Sequence, residues 1–238
     1  MRELLKTELS PLCRELSLSL DELALDRLCR YAELLCEWNE KMNLTAITDP
    51  CGIARKHFYD SLLFFRGIQP PTGTRIVDVG TGAGFPGMVL KIIRPDLSLT
   101  LLDGLNKRLI FLQEVLTQLD LHAETVHARA EEGGRNPQLR EQFDISVARA
   151  VARLPVLCEY CLPFVKPGGH FVAMKAKSGK EESKEAENAV SKLGGRIACL
   201  AETALPDGEE RCLIRIEKIR PTDPTFPRPS AKIAKKPL

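Results

Sequence analysis

Apolar positions in the first seventy residues recur at helical spacing. Leu20, Leu23, Leu28, Tyr31, Leu35 and Trp38 share one face of a helix that Ser19-Leu20-Asp21-Glu22 opens as a capping box. A further helix is expected from Asp49-Pro50, an N-cap with proline in the first turn, through Ile53, His57, Leu62 and Phe65. Gln69-Pro70-Pro71-Thr72-Gly73 then stops it and marks a boundary. Beyond Thr74 the pattern changes to alternating strand-like and helix-like stretches. Strands are predicted at 74–79, 97–102, 124–127, 144–148 and 170–174, with helices at 86–93, 107–119, 154–162 and 180–193. Two last strands, 196–200 and 212–217, have only the turn Pro206-Asp207-Gly208 between them and should pair antiparallel at one edge.

This order predicts an α/β fold: a mostly parallel seven-stranded sheet, covered on both faces and closed by an antiparallel hairpin. A helical N-terminal extension (1–70) precedes it, the sheet domain spans 71–220, and a basic, proline-rich tail (221–238) follows. The 238 residues, 44% hydrophobic, suffice for a full core. A formal net charge of +2 leaves partners to be read from local charge. The apolar runs are short and broken by charges, and Arg2, Glu3 and Lys6 leave no apolar signal core, so a cytoplasmic, monomeric protein is the expectation. Eight cysteines are scattered singly through helical and strand patterns, which suits reduced, packed thiols. Cys158-Glu159-Tyr160-Cys161 is the only C-x-x-C and has no second ligand pair for a metal, nor do His122 and His127 have partners at ligand spacing.

The chemistry gathers at Asp78-Val79-Gly80-Thr81-Gly82-Ala83-Gly84-Phe85-Pro86-Gly87, between a strand and a helix. Glycines there let backbone approach a ligand, and the helix beyond offers unpaired N–H groups. Two registers compete. Gly82 to Gly87 satisfies G-x-G-x-x-G, the dinucleotide pattern. The longer D-x-G-x-G-x-G resembles the S-adenosylmethionine loop of Rossmann-like methyltransferases. That cofactor has no pyrophosphate, so Asp78 is tolerable near its sulfonium and ammonium charges. Asp103, at the end of the second strand, suits the ribose hydroxyls of either cofactor. His57, Asp60 and Ser61 superficially suggest a hydrolytic triad, but no nucleophile elbow accompanies them; they read better as polar residues fixing the extension near the pocket.

The chain as a whole resembles the ribosomal RNA small subunit methyltransferase G family, the 16S rRNA guanine-N7 methyltransferases also called glucose-inhibited division protein B. The resemblance lies in Trp38-Asn39, Asn43-Leu44-Thr45, His57 with Asp60-Ser61-Leu62, the run 78–87, Leu102-Asp103 with Asn106-Lys107-Arg108, Arg129-Ala130-Glu131, Ala148-Arg149-Ala150-Val151-Ala152 and Pro227-Arg228. It implies a Rossmann-like class I methyltransferase using S-adenosyl-L-methionine. It also implies that Gly80, Phe85, Asp103, Ala130, Glu131 and Arg149 hold the cofactor. The implied substrate is a guanine in a 16S rRNA loop near the decoding region, on the RNA or the small ribosomal subunit. No catalytic acid or base is expected, because guanine N7 carries a free lone pair and no proton. Gly104 stands where the family usually has serine, and Ser230 where the tail often has glycine.

RNA contacts are expected from local charge. The tail from Lys218 onward holds Lys218, Arg220, Arg228, Lys232, Lys235 and Lys236 against Asp223, and its prolines keep it extended. Lys107, Arg108, Arg149, Arg153 and Lys175 follow strand ends on the rim where a substrate enters. Two other functions fit parts of the pattern: a nicotinamide-dependent oxidoreductase using the shorter glycine register, and a non-catalytic ribosome-associated protein with a vestigial pocket.

Overall fold

The structure, a computed structural model, describes residues 1–238. Seven strands form one sheet: β1 (Arg75–Val79), β2 (Ser98–Asp103), β3 (Glu124–His127), β4 (Phe143–Arg149), β5 (Val165–Ala176), β6 (Gly195–Ala204) and β7 (Glu210–Lys218), in the order β3-β2-β1-β4-β5-β7-β6. β1 lies between β2 and β4, with Val77 opposite Thr100 and Ser146. Only β7 runs against its neighbours, inserted between β5 and the edge strand β6. The chain reverses strand order beside β1, where the ends of β1, β2 and β4 open a crevice.

Alternation of side chains decides which helices cover which face. Ile76, Leu101, Val147, Val172 and Leu213 join one apolar cluster, whereas Val77, Leu102, Ala148, Phe171 and Ile214, their neighbours in sequence, join the other. The first cluster takes in Gly87–Ile93, Asn106–Gln118 and the N-terminal helices; the second takes in Leu154–Cys161 and Glu187–Lys192. The N-terminal residues therefore have no core of their own. Leu9, Leu28, Tyr31, Phe58 and Phe65 pack in the same cluster as Met88 and Phe111.

The capping details differ from the sequence pattern. Asp21, not Ser19, is the N-cap of Glu22–Met42, its carboxylate accepting from Ala24 N at 2.8 Å. The helix ends at Asn43, whose φ of +49° is tolerated by a short polar side chain. Asp49 caps the next helical stretch through Gly52 N, with Pro50 in the first turn as expected. That stretch, 50–67, is helical except for a turn at Leu63 and contains a π segment, Ile53–Tyr59.

β5 is longer than its apolar pattern. It begins at Val165 and carries Lys166-Pro167-Gly168-Gly169, a turn-like sequence, across a register irregularity opposite Phe143 to Ile145. The helix expected over 180–193 divides at Ala186 into Gly179–Glu185 and Glu187–Lys192.

The tail is not a free extended segment. Arg140 donates to the carbonyls of Thr222 and Phe226, and Arg135 to those of Thr225 and Pro227, at 2.7–2.9 Å. Lys218, fully buried, donates to Leu162 O, Val165 O and Thr222 Oγ1. A short helix, Ser230–Lys235, then buries Ile233. Cys158 and Cys161 are buried on the helix beneath it, where burial pushes both thiols far above their usual range. No helix is long and apolar enough to cross a membrane.

Candidate functional site

The glycine loop is built by its own backbone. Gly80 N and Thr81 N donate to Leu102 O at 2.8 and 3.1 Å, so the chain leaving β1 turns across the end of β2. Gly80, Gly82 and Gly84 have φ of +71°, +61° and +98°. A Cβ on Gly80 would stand 2.9 Å from Val151 Cγ2, and one on Gly84 would run into the Tyr31 hydroxyl and Leu112. Gly82 faces open space, so here the backbone itself forms the wall of a cavity.

Asp78 acts inside the loop. Its Oδ2 accepts from Thr81 Oγ1 and from Gly87 N, both at 2.8 Å, which staples the two ends of the run together. The side chain is fully buried and does not line the cavity, so it is not placed beside cofactor charges as its position in the motif suggested. It also takes up the Gly87 N–H that the following helix was expected to offer a ligand. Burial lifts its carboxyl to about 6, against the lowering effect of the Thr81 and Gly87 hydrogen bonds.

The cavity measures about 490 Å³, within the range of small-molecule sites, and opens at the carboxyl ends of β1, β2 and β4. Gly80, Phe85, Asp103 and Arg149 line it together, as do Leu44, Thr45 and His57 from the N-terminal residues. Asp103 is buried; its Oδ2 accepts from Gly82 N at 2.9 Å and its Oδ1 from Leu105 N at 2.8 Å. Arg108 reaches the same carboxylate, Nη1 to Oδ2 at 3.2 Å. With Arg108 Nη1 also 3.5 Å from Oδ1, both oxygens already hold two donors, so a ribose diol would take the place that Arg108 occupies.

Phe85 forms the aromatic wall. His57 stacks on it with centroids 4.3 Å apart and planes 10° from parallel, and the Arg149 guanidinium lies 5.1 Å from its centroid. Tyr31 donates its hydroxyl to Ala83 O and packs 5.3 Å from Phe85, so the extension supports the loop directly. Burial, reinforced by the Arg149 charge, lowers His57 to about 4, and the imidazole is neutral at neutral pH. It shares a 2.9 Å hydrogen bond with Thr45 Oγ1.

Arg149 is almost enclosed and paired with a carboxylate that it shares with Arg211. Its Nη1 pairs with Asp60 Oδ2 at 3.0 Å, while Asp60 Oδ1 accepts from Arg211 Nε at 3.0 Å. Asp60 thus ties the helical extension to β4 and β7, the docking role expected for it. Ser61 instead donates within its own helical stretch, to His57 O at 2.6 Å. His57 adds a place in the cavity wall, which its helical spacing in sequence did not announce.

Ala130 and Glu131 open the short helix Ala130–Gly133 beyond β3. Register sets this segment beside the Asp103 strand end, since Asp103 faces His127 and its carbonyl accepts from Ala128 N. Neither residue lines the 490 Å³ cavity.

The basic residues expected to meet RNA divide sharply. Lys107 and Lys232 are exposed and carry no ion pair. Arg108 is engaged with Asp103, and Arg153 pairs with Glu185 at the surface. Lys175 is half-buried, bonded to Glu182 and to Ala152 O at 2.8 Å. Arg228 grips the fully buried Glu159, Nη2 to Oε2 at 2.7 Å. Lys175 and Arg228 are thus held in ion pairs and are not free rim cations, although Lys175 still lines a cavity at the ends of β4 and β5. Leu44, Thr45 and Val151 were legible as motif members but not as cavity lining.

Comparison with known proteins decides between the cofactor registers. Residues 24–205 match the family described as rRNA small subunit methyltransferase G. The chain belongs to this family. A ribosomal RNA small subunit methyltransferase G from Acetivibrio thermocellus is 51% identical over 222 residues, covering 92% of this chain and 91% of that one. Its counterpart from Geobacillus kaustophilus is 46% identical and covers 98% of both chains. In fold, the chain is similar to a SAM dependent methyltransferase from Aquifex aeolicus, with a TM-score of 0.56 and 16% identity over 74% of this chain and 97% of that one. The sheet order and hairpin are those of the Rossmann-like class I fold. Membership removes both the oxidoreductase and the non-catalytic alternative.

Proposed function

We propose that this chain transfers a methyl group from S-adenosylmethionine to N7 of a guanine in 16S ribosomal RNA, near the decoding region of the small subunit. The observation that carries the reading is one cavity in which a glycine backbone, the Asp103 carboxylate and the Phe85 ring converge, in a chain of this family. The residues suit an adenosyl cofactor: a strand-end carboxylate that can exchange Arg108 for a diol, an apolar ring wall and backbone exposed at Gly82. Ala130 and Glu131 would complete the adenine end. Bound there, the cofactor supplies an electrophilic methyl group on a sulfonium.

The side chains have little proton chemistry to perform. Guanine N7 attacks with a lone pair in the ring plane and loses no proton, so orientation is the main source of rate. The rigid loop, stapled by Asp78 and backed by Tyr31, holds one reactant in place. The methylated base is cationic, and nearby uncompensated positive charge would oppose it. Asp60, shared with Arg211, offsets part of the Arg149 charge, and burial keeps His57 uncharged, which limits the opposing charge in the wall between loop and substrate. The substrate being ribosomal, the proposed place of work is the cytoplasm.

The test is transfer of radiolabelled methyl to naked 16S RNA, small subunits and a precursor particle, followed by cleavage at N7-methylguanine. Label at guanine N7 is expected. Label on pyrimidine carbon-5 or on exocyclic amines would overturn the reading.

A further inference from the structure

A second cavity of about 480 Å³ lies beside the first, at the ends of β4 and β5 and the start of β7. The two share His57, Arg149 and Ala150 as a common wall. Across the second cavity runs a chain of alternating charges. Lys56 bonds Glu209, Glu209 accepts from Arg211 at 3.1 Å, and Arg211 and Arg149 both hold Asp60. Ile47 and Met174 add apolar surface.

The two carboxylates differ in what they have left to give. Asp60 is buried, with one arginine on each oxygen. Glu209 is exposed on the turn before β7, with Lys56 on Oε1 and Arg211 on Oε2, so each oxygen keeps a free acceptor site. Hydrogen bonds from Lys56 and Arg211 hold its carboxyl below the usual range, which keeps it an acceptor only.

We propose that this second cavity receives the target guanine and that Glu209 selects it by its Watson–Crick edge. Guanine presents N1–H and N2–H₂ as two parallel donors on that edge, and N7 and O6 as acceptors on the adjoining Hoogsteen edge. A carboxylate accepts the first pair bidentately, which turns N7 towards the shared wall and hence towards the loop cavity; Arg149, in that wall, is a donor suited to O6. Adenine would set its N1 lone pair against the carboxylate and is rejected by repulsion. The inference rests on the guanine-N7 reading and adds the residue that enforces it.

The experiment uses the full chain and the ribosomal substrate that the wild type labels. For Glu209→Gln, kcat/KM is expected to fall about tenfold to a hundredfold. Affinity for S-adenosylhomocysteine by calorimetry, and Tm, should stay at wild-type values. Asp207→Asn removes another carboxylate near Lys56, one that does not line this cavity, and should leave kcat/KM unchanged. In the same RNA, inosine at the target position lacks only the N2 amine; it should slow the wild type and add little to the defect of Glu209→Gln. Unchanged transfer by Glu209→Gln, or a wild type indifferent to inosine, would overturn the assignment. Wild-type labelling away from guanine N7 is a separate result, and it overturns the underlying reaction instead.

Discussion

At the scale of single residues, the cavity depends on groups that have no freedom to change. Gly80 combines a φ of +71° with a Cβ position 2.9 Å from Val151. Gly80→Ala is expected to cost about 1–3 kcal/mol of stability and to weaken S-adenosylhomocysteine binding at least tenfold by calorimetry. Adding Val151→Ala should restore part of the affinity, since it relieves the clash but not the dihedral. His57 and Asp78 give the fold opposing acid responses. The unfolded chain protonates His57 near 6.5 and the folded chain only near about 4, so its contribution is full above 6.5 and is lost as pH falls through that window. Asp78 takes up its proton near about 6 when folded and near 3.8 when unfolded, so acidification through that range stabilises the fold. Urea unfolding at pH 7 and pH 5 should show wild type losing about 2 kcal/mol relative to His57→Gln. Gly80 and Asp103 were legible in sequence because a strand, a glycine run and a strand-end acid have fixed spacing. The inward role of Asp78 was not, because spacing does not say on which side of a tight loop a carboxylate turns.

At the scale of elements, the tail shows how charge in sequence misleads. Arg228 looked like a phosphate ligand, yet its partner Glu159 lies sixty-nine positions away and fully buried. Only tertiary placement reveals such a pair, as it does the arginine-to-carbonyl strap from Arg135 and Arg140. Arg228→Ala strands a buried carboxylate and should cost about 3–5 kcal/mol, read from chemical unfolding. Lys232, Lys235 and Lys236 are exposed and free of ion pairs. Changing all three to alanine should leave stability within about 0.5 kcal/mol while lowering affinity for small-subunit RNA. The slope of log affinity against log salt should become shallower by about 0.7 for each phosphate that a lysine no longer neutralises. Most strands were readable because apolar alternation is strong; β5 outran its pattern because Val165 pairs with Phe143 ahead of the Pro-Gly-Gly sequence, which the strand carries as an irregularity before its regular pairing begins at His170.

At the scale of the whole molecule, the extension and the sheet share one apolar cluster, and their polar contacts cross the Pro-Gly boundary through Tyr31, Asp60 and Arg27, which donates to Leu119 O at 2.9 Å. A single unfolding transition is therefore expected, with circular dichroism and the fluorescence of Trp38, on the extension, giving the same midpoint. Two midpoints would mean that residues 1–70 fold apart. Composition and periodicity showed that the extension is helical, but not that it supplies part of the cavity wall, since a helical face does not specify what it covers. The π segment Ile53–Tyr59 sets how that face arrives. Its wider turns hold one more residue than an α-helix would, immediately before Asp60 is caught between two arginines. Deleting one residue there would remove the extra residue and close the segment to α geometry with its two flanks facing as they do now, whereas inserting another would turn the helix upstream by about 100° about its axis. Ile53 and Ala54 would then leave the shared apolar cluster while Asp60 kept its partners. Loss of a residue is thus tolerated at this stretch and gain is not, and homologous chains should align through it without an insertion.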